Sequence, residues 1–300
     1  MTSDILIMQA FNGLSQFTIL VLMALGLSIA YGLMGVINMA HGELMAMGAY
    51  ATYVTATIFE NYFPGAFDQY IFFGIILAFI VTFVFGLLLE KTLIQALYKR
   101  PLDTLLATWG VSLFTQQLFR QIFGPKELSV PTVSWLNGAM NFGGDINLPI
   151  NRIFIVSLAI CVTFGVYLIL FKTRWGLRIR AVTQNRAMAD AAGIDSSRVD
   201  AFTFAFSCGL AGIAGSAFTM LASTSPVAGQ QYLVDSFIVV VFGGVESLFG
   251  TVASSFLISQ EQAIFEFLMS GSMAKALMLG IVITVLYFRP SGLFSTKVRH

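Results

Sequence analysis

The sequence predicts an all-α fold, a polytopic membrane helix bundle of about nine spans with glycine-broken helices. Three observations carry that prediction. Of 300 residues, 57% are hydrophobic, 14% aromatic and only 10% charged, against about 25% charged in a soluble globular chain. Apolar runs near 20 residues, the length that crosses a bilayer core, recur along the chain. The Lys and Arg residues gather in alternate connections, as they do in a chain threaded back and forth through a membrane. A single transmembrane domain, 1–300, accommodates all of this. The net charge of +1 supplies no basic patch for nucleic acid. Cys161 and Cys208 both sit in apolar runs and read as buried free thiols.

Met1 to Asp4 lack the basic stretch that opens a cleaved signal, so the first apolar run is expected to be a retained helix. The spans then fall at about Phe11–Tyr31, Ala40–Ile58, Tyr70–Leu89, Leu105–Phe123, Ile153–Phe171, Ala201–Leu221 and Met273–Phe288. The third and fifth contain no charge, Pro101 and Gly124 flank the fourth, and Arg289-Pro290 ends the last. The stretch from Gln230 to Met269 is long enough for two passes but is broken at Gly243-Gly244. Lys91, Lys99 and Arg100 place the loop after the third span in the cytoplasm. Lys172, Arg174, Arg178, Arg180, Arg186 and Arg198 do the same for the loop after the fifth, and Arg289, Lys297 and Arg299 for the C-terminus. An even number of crossings between the sixth and last spans keeps the parity. The expected topology has the N-terminus out and the C-terminus in, with nine crossings or seven plus a re-entrant pair. The outer loop Gly124–Asn151 is rich in Gly, Pro and Asn, with turns expected at Asn137-Gly138 and Gly143-Gly144.

Several chemistries are excluded. No Gly-Lys pair exists, so there is no phosphate-binding P-loop. With only His41 and His300, neither a multi-histidine metal site nor a haem site can form, and no cofactor is expected. No Ser or Cys nucleophile has a His nearby, so the chain is not expected to be an enzyme.

The polar groups that remain are the candidates. Asn38, His41 and Glu43 stand among Gly32, Gly35, Gly42 and Gly48 beside an apolar span. Polar side chains at membrane depth face protein or water, and glycine-interrupted helices often place substrate contacts in transporters. A tight turn in which Asn38 and His41 cap the next helix fits the same residues. Gln230, Gln231 and Asp235 precede Gly243 and Gly244, where a half-helix, a break and a second helix are expected. Such a break frees backbone amides and carbonyls that protein or a cavity must cover. All eight residues are candidates for a translocation pathway. Gly209, Gly212 and Gly215, with Ala211 and Ala214, form a small-residue face for tight helix packing. In the charged loop 172–200, Thr183 or Asn185 can cap a short helix that Gly193 ends. That helix suits either anionic lipid or a cytosolic partner.

Together, Gly35-Val36-Ile37-Asn38-Met39-Ala40-His41-Gly42-Glu43, Arg180 through Ala189 with Gly193-Ile194, Asp235 through Val245, and Arg289 through Phe294 resemble the permease subunits of bacterial branched-chain amino-acid type ABC importers. Within that family the runs Gly32–Glu43, Ala181–Met188 and Asp235–Gly244 are most similar to the urea permeases. Glu246 departs from the pattern, standing where the family usually has glycine. The resemblance implies a second permease subunit, two cytosolic ABC ATPase subunits and a periplasmic substrate-binding protein, in the bacterial inner membrane. It makes loop 172–200 the coupling element, with Arg186, Ala187, Ala189, Ala192, Gly193 and Ile194 at the ATPase. The function it implies is urea import, with branched-chain amino acids or short-chain amides as alternative substrates. A stand-alone channel or ion-coupled carrier is the rival from another class.

Overall fold

The computed structural model describes residues 3–98, 100–141 and 147–294. Lys99, the Gly143-Gly144 turn, Lys297, Arg299 and His300 lie outside the described residues. The chain forms α1 (Ser3–Leu27), α2 (His41–Tyr62), α3 (Tyr70–Leu89), a last turn α4 (Gln95–Leu97), α5 (Pro101–Phe123), α6 (Ile150–Lys172), α7 (Arg174–Gln184), α8 (Arg186–Ala191), α9 (Ser196–Phe218), α10 (Ala228–Gly243), α11 (Leu248–Leu268) and α12 (Gly271–Phe288). One two-stranded antiparallel ribbon, β1 (Ala139–Asn141) with β2 (Asn147–Pro149), lies between α5 and α6. The Gln230–Met269 stretch is two helices, α10 and α11, parted at Gly244, whose φ is +100°.

Among the described residues, five helices are long and apolar enough to cross a membrane: Ile7–Leu33, Pro64–Leu97, Ile150–Lys172, Ser196–Phe218 and Gly271–Phe288. They divide into two kinds. The first and fourth of these are mostly buried in protein, whereas the other three turn their apolar surface outward. Lipid tails solvate such outward faces as well as a protein core does, so apolarity alone does not tell the two kinds apart. This explains Cys161, which is exposed on α6 rather than buried, while Cys208 is buried in α9; both thiols are free.

The interior is organised by α9. A Cβ added at Gly215 would strike the Met45 carbonyl and the Ala49 amide of α2, and one at Gly48 would strike Gly212. One at Gly212 would meet the Ala78 carbonyl of α3 at 2.6 Å, and one at Gly86 of α3 would meet Cys208 Sγ at 2.7 Å. Three backbones therefore touch where α2, α3 and α9 cross. The small-residue face expected from the sequence is this packing surface. On its other side α1 runs along α9 and lies antiparallel against α11.

Two helices are interrupted. A π-helical segment, Ser28–Leu33, continues α1, and a second, Glu90–Ile94, continues α3. The sequence carried no signal for either. π-helical segments occur mostly as single-turn interruptions, frequently at functional sites. After Leu33 the chain turns at Gly35 (φ +69°) and re-enters the bundle to begin α2.

If contact of bare backbones holds the centre, Gly215→Ala should cost about 1–3 kcal/mol, the usual penalty of overpacking. Gly110→Ala and Gly165→Ala, whose added Cβ atoms meet nothing within 4 Å, should leave stability unchanged. Thermal unfolding of the solubilised chain measures the difference.

Candidate functional site

Each end of the bundle carries its own group of polar residues. One end gathers the termini of α3, α6, α10 and α12 with the starts of α5, α7 and α9. Here the chain makes short capped helices. Thr173 Oγ1 accepts from Gly176 N at 3.3 Å to start α7, and Asn185 Oδ1 accepts from Met188 N at 3.0 Å to start α8. Gly193 (φ +82°) ends α8, with Ile194 N donating to Ala189 O at 3.0 Å. Asp195 then caps α9 through Arg198 N at 3.1 Å. Of the two caps the sequence allows, Asn185 is the one used. Thr183 instead donates to the Leu33 carbonyl at 2.9 Å, joining α7 to the π-helical end of α1.

Arg186 is the second anchor. Its guanidinium lies 2.7 Å from Asp200 Oδ2 of α9 and stacks over the Tyr98 ring at 5.1 Å. Tyr98 donates in turn to Glu90 Oε1 at 3.4 Å. The Asp200 side chain is 8% exposed and that of Arg186 46%. The short helix α8 is thereby tied to α9 and to the end of α3, while Ala187, Met188 and Ala192 remain exposed. Ala189 points the other way and is buried, and Ile194 is half-buried. Of the six residues expected at a partner, Arg186 and Ala189 hold the helix to its own bundle, and Ala187, Ala192 and Gly193 lie on the free face.

The break at Gly243 and Gly244 lies at this same end. Leu293 N donates to Phe242 O at 2.9 Å and Phe294 N to Gly243 O at 3.2 Å, so the chain following α12 takes up the carbonyls that the break frees. Gly243 and Gly250 meet backbone to backbone, and Gly32 of α1 lies against Val245 O. Thr251 donates to Ser28 Oγ at 3.2 Å. The interruption in α1 and the break between α10 and α11 are therefore neighbours. Gly243 and Gly244 are buried in this junction, and Glu246 beside it is exposed.

Asn38, His41 and Glu43 are buried inside the bundle and line neither of the cavities at its other end. Asn38 Oδ1 accepts from Ala40 N at 3.0 Å, which makes the tight turn before α2. His41 Nε2 lies 3.2 Å from Met23 O. Glu43 Oε1 accepts from Gln116 Nε2 at 2.7 Å and from Ser112 Oγ at 3.1 Å, and Met39 N donates to Thr108 Oγ1 at 3.1 Å. Thr104, Thr108, Ser112 and Gln116 follow at intervals of four on α5 and are all buried. That interval puts them on one helix face, and it was the sequence signal for this contact.

The opposite end of the bundle holds the other expected residues. Gln231 and Asp235 line a cavity of about 160 Å³ with Gln16, Tyr232, Glu266 and Lys275. Lys275 Nζ pairs with Asp235 Oδ2 at 3.2 Å. Gln16, Tyr232 and Glu266 also line a larger cavity of about 420 Å³, which reaches Arg152 at the start of α6. Gln230 is exposed beside these groups and lines neither cavity. Arg152, Glu266 and Lys275 come from three separate helix ends, and their convergence had no sequence signature. The connection between α5 and α6 packs over this end: Tyr70 donates to Pro131 O at 2.6 Å, and Leu128 and Thr224 exchange backbone bonds at 2.8 and 2.9 Å. The amide and hydroxyl of Ser134 both donate to Asp68.

Loss of the Arg186 guanidinium should free α8. In native membranes, Arg186→Ala is expected to speed amide exchange several-fold across residues 186–194 while leaving that of α2 unchanged, as read by mass spectrometry.

Comparison with known proteins places this geometry. A family model described as the branched-chain amino acid transport system / permease component matches residues 9–286. The chain is 27% identical over 291 residues to the high-affinity branched-chain amino acid transport system permease protein BraD of Pseudomonas aeruginosa, covering 95% of this chain and 94% of that protein. It is 24% identical over 291 residues to the corresponding LivH of Escherichia coli, with the same coverage. It is also 24% identical over 292 residues to the probable LivH of Methanocaldococcus jannaschii, covering 92% of this chain and 88% of that protein. No solved structure matches.

Proposed function

Because the chain belongs to the branched-chain amino acid transport permease family, and is thus a transport subunit rather than an enzyme, we propose that it is a membrane-spanning half of an ATP-driven importer for branched-chain amino acids. The relatives are named for those amino acids, so the amino-acid alternative displaces urea as the proposed substrate. The likeness of Gly32–Glu43 and Asp235–Gly244 to urea permeases is carried largely by residues packed in helix junctions, with Asp235 lining a cavity.

The proposed partners are a second permease subunit, two cytosolic ATPases and an external binding protein. The end carrying loop 172–200 is the cytoplasmic one in this reading, which sets the N-terminus outside and the C-terminus inside. The observation that carries the coupling role is the pair of tethers on the loop, Thr183 to Leu33 and Arg186 to Asp200. A force on the exposed face of α7 and α8 reaches α1 and α9, the two helices most deeply set in the bundle. Through α1 it reaches the junction where Gly32 abuts Val245. That junction serves as the inner gate, and the cavities at the other end receive the solute. Gln231 and Asp235 belong to that receiving end. Asn38, His41, Glu43, Gly243 and Gly244 act by fixing the moving helices against each other.

Two experiments test this. Uptake of labelled leucine at low concentration should fall to background in cells lacking the chain and should be untouched by excess urea. If urea uptake is lost instead, the substrate assignment is wrong; if leucine uptake survives ATP depletion, the importer reading is wrong. For the coupling role, Gly193→Val forces a β-branched residue into a backbone conformation that disfavours it. ATP hydrolysis should then persist in assembled complexes while leucine uptake drops several-fold. Normal uptake would remove α8 from the coupling role.

A further inference from the structure

The larger polar cavity holds one cation and one anion that are not paired with each other. Arg152 donates to Asn12 Oδ1 and, among the described residues, has no carboxylate within ion-pair distance. Glu266 accepts from Gln16 Nε2 at 3.1 Å and from Gln262 Nε2 at 2.7 Å, and it too has no cation. Lys275, the other cation nearby, is already taken by Asp235. Two amides thus fix the Glu266 carboxylate in place without neutralising it. Gln16 Oε1 is buried beside it with no hydrogen-bond partner. The rest of the lining mixes polar groups from Gln9, Asn12, Ser15 and Tyr232 with apolar ones from Ile19, Phe218, Leu221, Ala222 and Ala263. The volume, about 420 Å³, is that of a small-molecule site.

We propose that this cavity is a recognition site for a zwitterion with an apolar side chain, Arg152 taking the α-carboxylate, Glu266 with Gln16 Oε1 taking the α-ammonium, and Ile19, Phe218 and Leu221 covering the aliphatic group. A guanidinium holds a carboxylate through two parallel hydrogen bonds, and a carboxylate takes an ammonium as a charge-assisted acceptor. A neutral polar solute such as urea would leave both half-buried protein charges without a counter-charge. The zwitterion satisfies both at once. The inference rests on the reading of the chain as an amino-acid permease and adds the residues that read the amino acid after it is handed over.

The test places a reporter thiol in the wall without touching either charge. The full-length chain in native membranes carries Ala222→Cys together with Cys161→Ser, and its rate of maleimide labelling is measured with added ligands. Leucine should slow labelling in a saturable way. Leucinamide, which lacks the carboxylate, and 4-methylpentanoate, which lacks the ammonium, should each need about tenfold or more higher concentration, the loss of one charged hydrogen-bonding pair. Adding Arg152→Gln should remove the preference for leucine over leucinamide, and adding Glu266→Gln should remove its preference over 4-methylpentanoate. The ligand series alone decides the matter if either charge variant fails to reach the membrane. No protection by leucine, or equal protection by all three ligands, overturns the site. If leucine uptake depends on the chain and protection is absent, only this site fails. Protection by urea and not leucine would defeat the amino-acid reading itself.

Discussion

Everything in this bundle depends on how closely α9 can approach α2 and α3. Inside a bilayer there is no hydrophobic drive to bring apolar helices together, because lipid is as good a solvent for Leu and Phe as another helix is. Dispersion across a close backbone contact takes over that task, and it is short-ranged. Gly212 and Gly215 let α9 meet Gly48 and Met45 on one side, and Gly212 with Gly86 lets it meet α3 on the other. The remaining helices are placed by that junction. Ser207 O lies where a Cβ on Gly26 of α1 would stand, so α1 is seated by the same closeness, and α11 by α1.

A second constraint acts where helices are interrupted. The interruptions fall at an end of the bundle, and among the described residues several of the groups they free have partners. Phe242 and Gly243 give their carbonyls to Leu293 and Phe294, and Leu33 gives its carbonyl to Thr183. In hydrocarbon an unmade backbone bond costs several kcal/mol, so a partner that moves away must be replaced. Exchange of such partners is a natural basis for two stable arrangements of the proposed gate, since packed interfaces shift between discrete states rather than deform smoothly.

The helices themselves were legible in the sequence. The runs at Tyr70–Leu89 and Ile153–Phe171, the breaks at Pro101 and Gly124, and the Gly243-Gly244 interruption all correspond to what folds. Capping was legible too, since Asn185 and Gly193 have one local role each. Exposure was not: an apolar run reads the same whether it meets lipid or protein, and Cys161 was misplaced for that reason. The π-helical segment after Leu27 has no compositional mark. The polar groups divided in the same way. Asn38 sits in a turn that its neighbours announce, whereas Arg152 and Glu266 become neighbours only because α1, α6 and α11 end together. No spacing along a chain encodes a meeting between residues more than a hundred positions apart.

The position of α1 bears on how the molecule is made. It is synthesised before the helices that cover it, and among the described candidate spans it is one of the two that are mostly buried. Its contacts are with α6, α9, α10 and α11, and Gln9 bonds to the carbonyl of Ala263, 254 residues later. Until those partners are synthesised, α1 waits in lipid with Gln9, Asn12 and Gln16 uncovered. The cover of α1 is completed only by helices far along the chain, so a chain cut short before α11 would leave this face of α1 without its protein partner.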